Sequence, residues 1–385
     1  MTKLDELIQE LCPDGVEYKE LQEILTIKNG SDYKHLSKGD IPVYGSGGIM
    51  TYVETFSYDK PSVLIPRKGS IDKLYYVETP FWNVDTIFYT DIDSTQIKPK
   101  YLFYCLQREH LEQYNTAGGV PSLTQAVLNK VQIPVPPLPV QREIVRILDN
   151  FAELTAELTA ELTARKKQYE FYRDKLLTFG DVQVGVTSDV IWRALGEICD
   201  VRDGTHDSPK PTPTGKYLIT SKNVKNGTID YTGAYLISDK DYEQINVRSK
   251  VDTWDILFTM IGTIGEIGVV AYESDFAIKN VGLIKTGNEL FSRFLRHYLV
   301  SDKVKAYIDA NRSKGTQAFL ALGKLRELPV PVVSEPAMKK LVQVLDNFDA
   351  ICTDLNIGLP AEIEARQKQY EYYRDKLLTF REISN

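Results

Sequence analysis

Cysteine is scarce in this chain and histidine equally so, with four of each among 385 residues. Cys12, Cys105, Cys199 and Cys352 are scattered without a CxxC pair, which excludes the usual zinc-ligand spacing and leaves buried free thiols as the expectation. Long apolar runs are missing too. No stretch approaches the roughly 18 residues a membrane-spanning helix needs, and the opening MTKLDELIQELCPDG lacks the apolar segment of a secretion signal. A cytoplasmic protein without membrane association is expected. Nor is there an excess of positive charge: 46 Lys and Arg against 53 Asp and Glu give a net −7. That balance weighs against a surface that neutralises phosphates everywhere. Residues 1–135 hold 13 basic against 18 acidic side chains, and residues 181–328 hold 19 of each. Affinity for nucleic acid would have to come from basic residues gathered on one face, or from a partner that supplies the field. Catalytic signatures are absent as well: there is no NPPY-like or DPPY-like amino-methyltransferase motif, no Walker A loop, and no GxGxxG after a strand-like run.

What the chain does have is enough length for two or three domains, ordinary globular composition, and an internal duplication. Residues 168–179 read QYEFYRDKLLTF and residues 369–380 read QYEYYRDKLLTF, identical at eleven of twelve positions. VRILDNF at 145–151 returns as VQVLDNF at 342–348, and the IPVP ending at Pro136 returns as the LPVP ending at Pro331. VEYKELQEI at 16–24 parallels VIWRALGEI at 190–198. The expected organisation is a module over 1–135, a helical segment over 136–180, a second module over 181–330 and a second helical segment over 331–385, with pseudo-two-fold character.

Period identifies the helical segments. After Pro139 the apolar residues Ile144, Leu148, Phe151, Leu154, Leu158 and Leu162 recur every three or four positions. A 40-residue helix would extend about 60 Å, too long for a lone surface helix of a compact domain. In the second copy Leu341, Leu345, Phe348, Ile351 and Leu355 form the same stripe, until Gly358-Leu359-Pro360 predicts a break. Ile363, Tyr370, Tyr373, Leu377 and Phe380 continue it. Two such helices are expected to pair as an antiparallel coiled coil. Asp149 to Gln168 spans 19 residues and Asp346 to Gln369 spans 23, and the shorter copy carries the repeat AEL-TAEL-TAEL over 152–162. Four residues turn a helix about 400° and lengthen it by about 6 Å, so such a unit works as a length adjuster.

The modules alternate β-branched and aromatic residues with Gly-rich turns, as in IPVYGSGGIMTYV and DILFTMIGTIGEIGVVAY, and each ends in a helix-like stretch. A mixed α/β (α+β) fold follows. Lys68-Gly69-Ser70-Ile71 corresponds in placement to Ile261-Gly262-Thr263-Ile264.

The paired IPVP and LPVP approaches, the LDNF helices, the TAEL repeats and the two YRDKLLTF endings together resemble the specificity subunits of type I restriction-modification systems, across essentially the whole chain. The resemblance implies two target-recognition domains held apart by two antiparallel helices, each reading one half of an asymmetric bipartite site in double-stranded DNA. It also implies a non-catalytic chain that docks two adenine methyltransferase subunits, which bind S-adenosylmethionine, and restriction subunits that translocate DNA. The electropositive field missing here would come from those partners. On this reading, removing 155–158 shortens the coil by about 6 Å, one or two base pairs of spacer, with both half-sites unchanged in a methylation map.

Candidate DNA-facing residues follow from residue type and loop position. In the first module they are Tyr44, Ser46 and Gly47 in a Gly-rich turn, Arg67, Lys68 and Ser70 in another, and Ser122. In the second they are His206, Ser208, Lys210, Lys222, Asn223, Thr263, Arg312, Lys314, Thr316 and Gln317. Arg suits guanine and Asn suits adenine, while backbone amides of Gly-rich turns suit phosphate. Each of these is equally the residue type of a solvated turn, and His206 fits an Asx-type turn. Phe151, Tyr169, Tyr172, Phe348, Tyr370 and Tyr373 lie at helical spacing, which favours coil packing or a methyltransferase-binding face over stacking on bases. Asp149 and Asp346, at equivalent points of duplicated helices, are polar partners near the coil ends and not a catalytic pair. Two rivals stand beside this reading: a self-contained endonuclease or methyltransferase, which would methylate DNA alone, and a coiled-coil scaffold, which would show no sequence-dependent DNA binding.

Overall fold

A computed structural model describes residues 2–115, 118–179, 190–315, 318–354 and 357–383. The chain divides into two units, one made of 1–159 with 362–385 and the other of 160–361. The two are built alike, which the duplicated sequence leads one to expect. In unit 1 a four-stranded antiparallel sheet runs in the order Leu25–Asn29, Ile87–Ile92, Ser62–Pro66, Tyr75–Val77. In unit 2 the same order is filled by Asp200–Asp203, Val281–Lys285, Ile256–Thr259 and Ile267–Val269. The strands Ser62–Pro66 and Ile256–Thr259 are buried at every residue, as continuous apolar runs inside a sheet should be. A three-stranded sheet accompanies each: Gly48–Val53, Lys38–Gly45 and Trp82–Asn83 in unit 1, and Tyr235–Ile237, Lys216–Ile219 and Ala277–Ile278 in unit 2. In both, the central strand pairs antiparallel on one side and parallel on the other.

The IPVP and LPVP approaches are strands, Gln132–Pro134 against Tyr18–Glu20 and Pro329–Val332 against Ile191–Ala194. Tyr101 and Tyr298 donate their hydroxyls to the equivalent carbonyls of Pro134 and Pro329, at 3.1 and 2.6 Å. The units differ by insertion. Where unit 1 closes Lys38–Gly45 onto Gly48–Val53 through Ser46-Gly47, unit 2 inserts the hairpin Val224–Lys225 and Thr228–Ile229 between the matching strands. Asn226 and Gly227, both left-handed at φ +53° and +77°, supply the reversed turn that such a hairpin needs. A helix, Asp239–Ser249, follows only in unit 2. Each module's end is helical as expected, although the second is two helices, Glu289–Leu299 and Asp302–Asn311.

The helix Leu138–Leu177 is continuous for 40 residues. Its counterpart is interrupted where Gly358 and Pro360 predict, into Glu335–Thr353 and Leu359–Leu377. Each unit draws its helical core from both copies of the repeat. Val140, Ile144 and Leu148 of the first LDNF helix share the unit 1 core with Leu378 and with Tyr370, Leu377 and Phe380 of the second YRDKLLTF segment. Met338, Leu341, Val342 and Leu345 share the unit 2 core with Leu177 and with Tyr169, Leu176 and Phe179 of the first. The central stripe departs from expectation: Leu154 is 47 % exposed, so the TAEL region does not continue the buried seam that Ile144 and Leu148 begin. All four cysteines are free and buried. Among the described residues no helix is long and apolar enough to cross a membrane.

Candidate nucleic-acid interface

Three loops of unit 1 converge, and they hold most of the residues expected there. Gly69 takes φ +83°, which turns the chain sharply after the buried strand. Around that turn Lys68 bridges Ser122, the Gly69 amide donates to the Pro121 carbonyl at 3.0 Å, and the Leu123 amide donates to Arg67 at 2.9 Å. The hairpin turn joins them, since a Cβ on Gly69 would lie 3.8 Å from Ser46 Oγ. Ser46, Gly47, Arg67, Lys68, Ser70 and Ser122 therefore line one surface. Arg67 lies over the Phe88 ring at 5.7 Å, and Lys68 is exposed. Neither cation has a carboxylate partner among the described residues. Tyr44 is half-buried: its ring packs against Tyr75 and Phe81 at 6.0 and 6.2 Å, and burial pushes its hydroxyl pKa up.

The residues proposed in unit 2 fall on separate segments. One segment is the loop after Asp200–Asp203, where His206 pairs with Asn280 at 2.8 Å and Asp203 at 3.0 Å, and Ser208 accepts from Lys279. Lys210 and Lys222 are exposed. Asn223 is a correction, for its amide is spent internally. It accepts from the Thr220 amide and hydroxyl, both at 3.0 Å, and donates to Asp230 and Thr232 carbonyls at 2.9 and 3.3 Å. Buried with those bonds made, it holds the inserted hairpin's entry and has nothing left for a base edge. The other segment is the turn carrying Thr263, where the carbonyl of Thr263 accepts from buried Thr259 at 2.5 Å. This turn bridges Ile261 to Phe319, and the Leu320 amide donates to Met260 at 2.8 Å. Arg312, paired with Asp309 at 3.1 Å, and exposed Lys314 lie just ahead of Phe319 in the chain. Thr316 and Gln317 lie outside the described residues.

The helix aromatics make ring contacts or hydrogen bonds within their units, although Tyr172 stays 40 % exposed. Phe151 stacks on Tyr373 at 5.3 Å in unit 1, and its repeat equivalent Phe348 stacks on Tyr172 at 5.9 Å in unit 2. Tyr370 donates to Gln107 at 3.0 Å, and Tyr169 bonds His297 at 2.7 Å. The neighbouring aromatics are more open. Phe171 and Tyr372, equivalent in the repeat, are 60 % and 61 % exposed, each with a lysine four residues on, Lys175 or Lys376, near its ring. The signal was in the sequence: this is the single position of twelve at which the two endings differ, and both residues there are aromatic.

The two units repeat one α+β module, and the helix Leu138–Leu177 runs from one into the other. The family described as type I restriction modification DNA specificity domain matches residues 13–165 and 188–365, and the chain belongs to it. A putative type I restriction enzyme specificity subunit of Haemophilus influenzae is 28 % identical over 392 residues, covering 95 % of this chain and 96 % of that one. A type I restriction enzyme specificity subunit of Escherichia coli is 33 % identical over 318 residues, covering 76 % and 73 %. Among solved structures, the type I S subunit from M. genitalium superposes with a TM-score of 0.57 at 15 % identity, covering 94 % of this chain and 96 % of that one. A chain from a structure of type I restriction-modification complex assembly and conformational transition gives 0.63 at 15 % identity, covering 96 % and 98 %. At that identity the likeness establishes the fold alone.

Proposed function

We propose that the chain is the non-catalytic reader of an asymmetric bipartite site in double-stranded DNA, one half-site to each unit, and that it docks two adenine methyltransferase subunits and, through them, restriction subunits. S-adenosylmethionine belongs to the methyltransferase partners, and this chain holds no cofactor of its own. The observation that carries the reading is the repeated turn: Lys68 bridged to Ser122 and Ile261 bridged to Phe319 sit at the same point of the same sheet order in both units. Two copies of one scaffold presenting different side chains at one place are what two different half-sites require. In unit 1 those side chains include Arg67 and Lys68, free of carboxylates among the described residues, and Arg is the favoured partner of guanine. Phosphate contacts from the Ser46-Gly47 turn would fix register without reading sequence.

The test exchanges residues 1–135 for the first module of another family member and maps methylated adenines genome-wide, with the methyltransferase partner co-expressed. One half-site is expected to change while the other stays. A change in both halves defeats modular readout, and methylation by the purified chain with S-adenosylmethionine alone restores the self-contained methyltransferase.

A further inference from the structure

The equivalent turns of the two units carry opposite chemistry. At the bridge, unit 1 has Lys68 opposite Ser122, and unit 2 has Ile261 opposite Phe319. Two observations fix the equivalence. Leu123 and Leu320, the next residues along, are both buried and donate to Arg67 and Met260 at 2.9 and 2.8 Å. Gly69 and Gly262, each one residue past its bridge, both take left-handed φ, +83° and +78°.

Phe319 is 48 % exposed although it belongs to a tightly held piece of main chain. Its amide donates to Ser313 Oγ at 3.0 Å and its carbonyl accepts from the Ser313 amide at 2.9 Å, so the ring is displayed by a fixed backbone. Half-buried Ile261 lies across the bridge, and exposed Lys314, with Arg312 held by Asp309, flanks the Ser313 that fixes Phe319. A lysine or arginine at such a point meets the acceptors of guanine, whereas an apolar side chain meets the C5-methyl of thymine.

We infer that Phe319, backed by Ile261, reads a thymine methyl group in the half-site of unit 2, at the place where unit 1 offers Lys68 to base-edge acceptors. This deepens the proposed DNA reading and rests on it. The main chain that carries the ring is already held, so losing the contact should be felt mainly as lost apolar burial.

The test uses the chain in complex with its methyltransferase partner, on the duplex that complex methylates. Thymines are replaced one at a time by uracil, which lacks only the C5-methyl. One replacement, in one half-site, is expected to weaken binding about fourfold, the effect of withdrawing one buried methyl group. Phe319→Ala should abolish that sensitivity, while Phe319→Leu, which keeps an apolar contact, and Lys68→Ala in the other unit should retain it. If no thymine in either half-site is sensitive, or if Phe319→Ala leaves a sensitivity untouched, the inference is overturned. A complex with no sequence-specific methylation at all overturns the underlying reading instead.

Discussion

In unit 1, Asp149 of the LDNF helix accepts from Lys100 Nζ at 2.9 Å and from the Tyr104 hydroxyl at 2.5 Å. In unit 2, Asp346 of the second LDNF helix accepts from Arg293 Nε at 2.9 Å and pairs with His297 Nε2 at 2.6 Å. Each donor pair is spaced four residues apart on one helix, one turn, so both reach the same carboxylate. Behind each stands the tyrosine of the other copy's ending. Tyr370 packs 6.4 Å from Tyr104, and Tyr169 bonds His297 directly. The comparison teaches which part of a duplicated site is held constant: the acceptor on each LDNF helix is kept, while the module's donors change identity and keep their spacing. The same division governs the exposed turns, where the glycines and the bridge persist and the displayed side chains differ.

Unequal burial should make the two aspartates unequal in energy, which gives the strongest way to break the comparison. Removing Asp346 leaves the Nε2 of His297, a residue 1 % exposed, without its partner, and an unsatisfied buried polar group costs about 1–3 kcal/mol. Lys100 and Asp149 are each about a third open to water, so their pairing contributes only about 0–1 kcal/mol, and the rest of the loss on removing Asp149 comes from its bond to the Tyr104 hydroxyl. Asp346→Ala is therefore expected to lower stability by about 2–3 kcal/mol and Asp149→Ala by about 1 kcal/mol, read from urea unfolding of the full chain. Equal losses would show that the burial difference does not set the energy. Acid sharpens the contrast. Burial opposes the charged form of Asp346, but the bonds and charges of His297 and Arg293 outweigh it and hold its carboxyl below the usual range. A depressed folded pKa contributes stability that is complete above the unfolded value, about 3.9, and is lost as pH falls through the folded one. The part of the gap between wild type and Asp346→Ala that comes from this carboxylate should thus be lost as pH falls below about 4.

Duplication made the architecture legible, because a repeat of eleven identities in twelve residues needs no knowledge of tertiary contacts. The long helix, the break at Gly358 and the turns at Gly69 and Gly262 followed from period and from residues with special backbone freedom. Partnership across the repeat was legible in outline, because antiparallel pairing of the two copies sets the YRDKLLTF ending of one beside the LDNF helix of the other, as each unit's core shows. Residue type misled at Asn223, whose amide fits an adenine edge and a buried turn equally well; only burial separates the two. Phe319 escaped notice because it precedes a strand approach in a stretch that reads as core.

The smallest expected effect on the chain is the most direct test of symmetry. Phe171 in unit 2 and Tyr372 in unit 1 are exposed at equal levels and touch their own helix's lysines, so replacing either by alanine should change stability by less than about 0.5 kcal/mol. If two copies of one methyltransferase dock on equivalent surfaces, the effect appears elsewhere, as stoichiometry. Exposed aromatics at the centre of an interface commonly carry much of its energy, about 2 kcal/mol or more on truncation. Native mass spectrometry of the co-purified complex should then find one methyltransferase copy on Phe171→Ala, one on Tyr372→Ala, and none on the double variant. Loss of both copies from either single variant would mean that the partner binds as a preformed pair. Retention of both on the double variant would remove these residues from the interface, and with them the idea that the two units present the same docking surface.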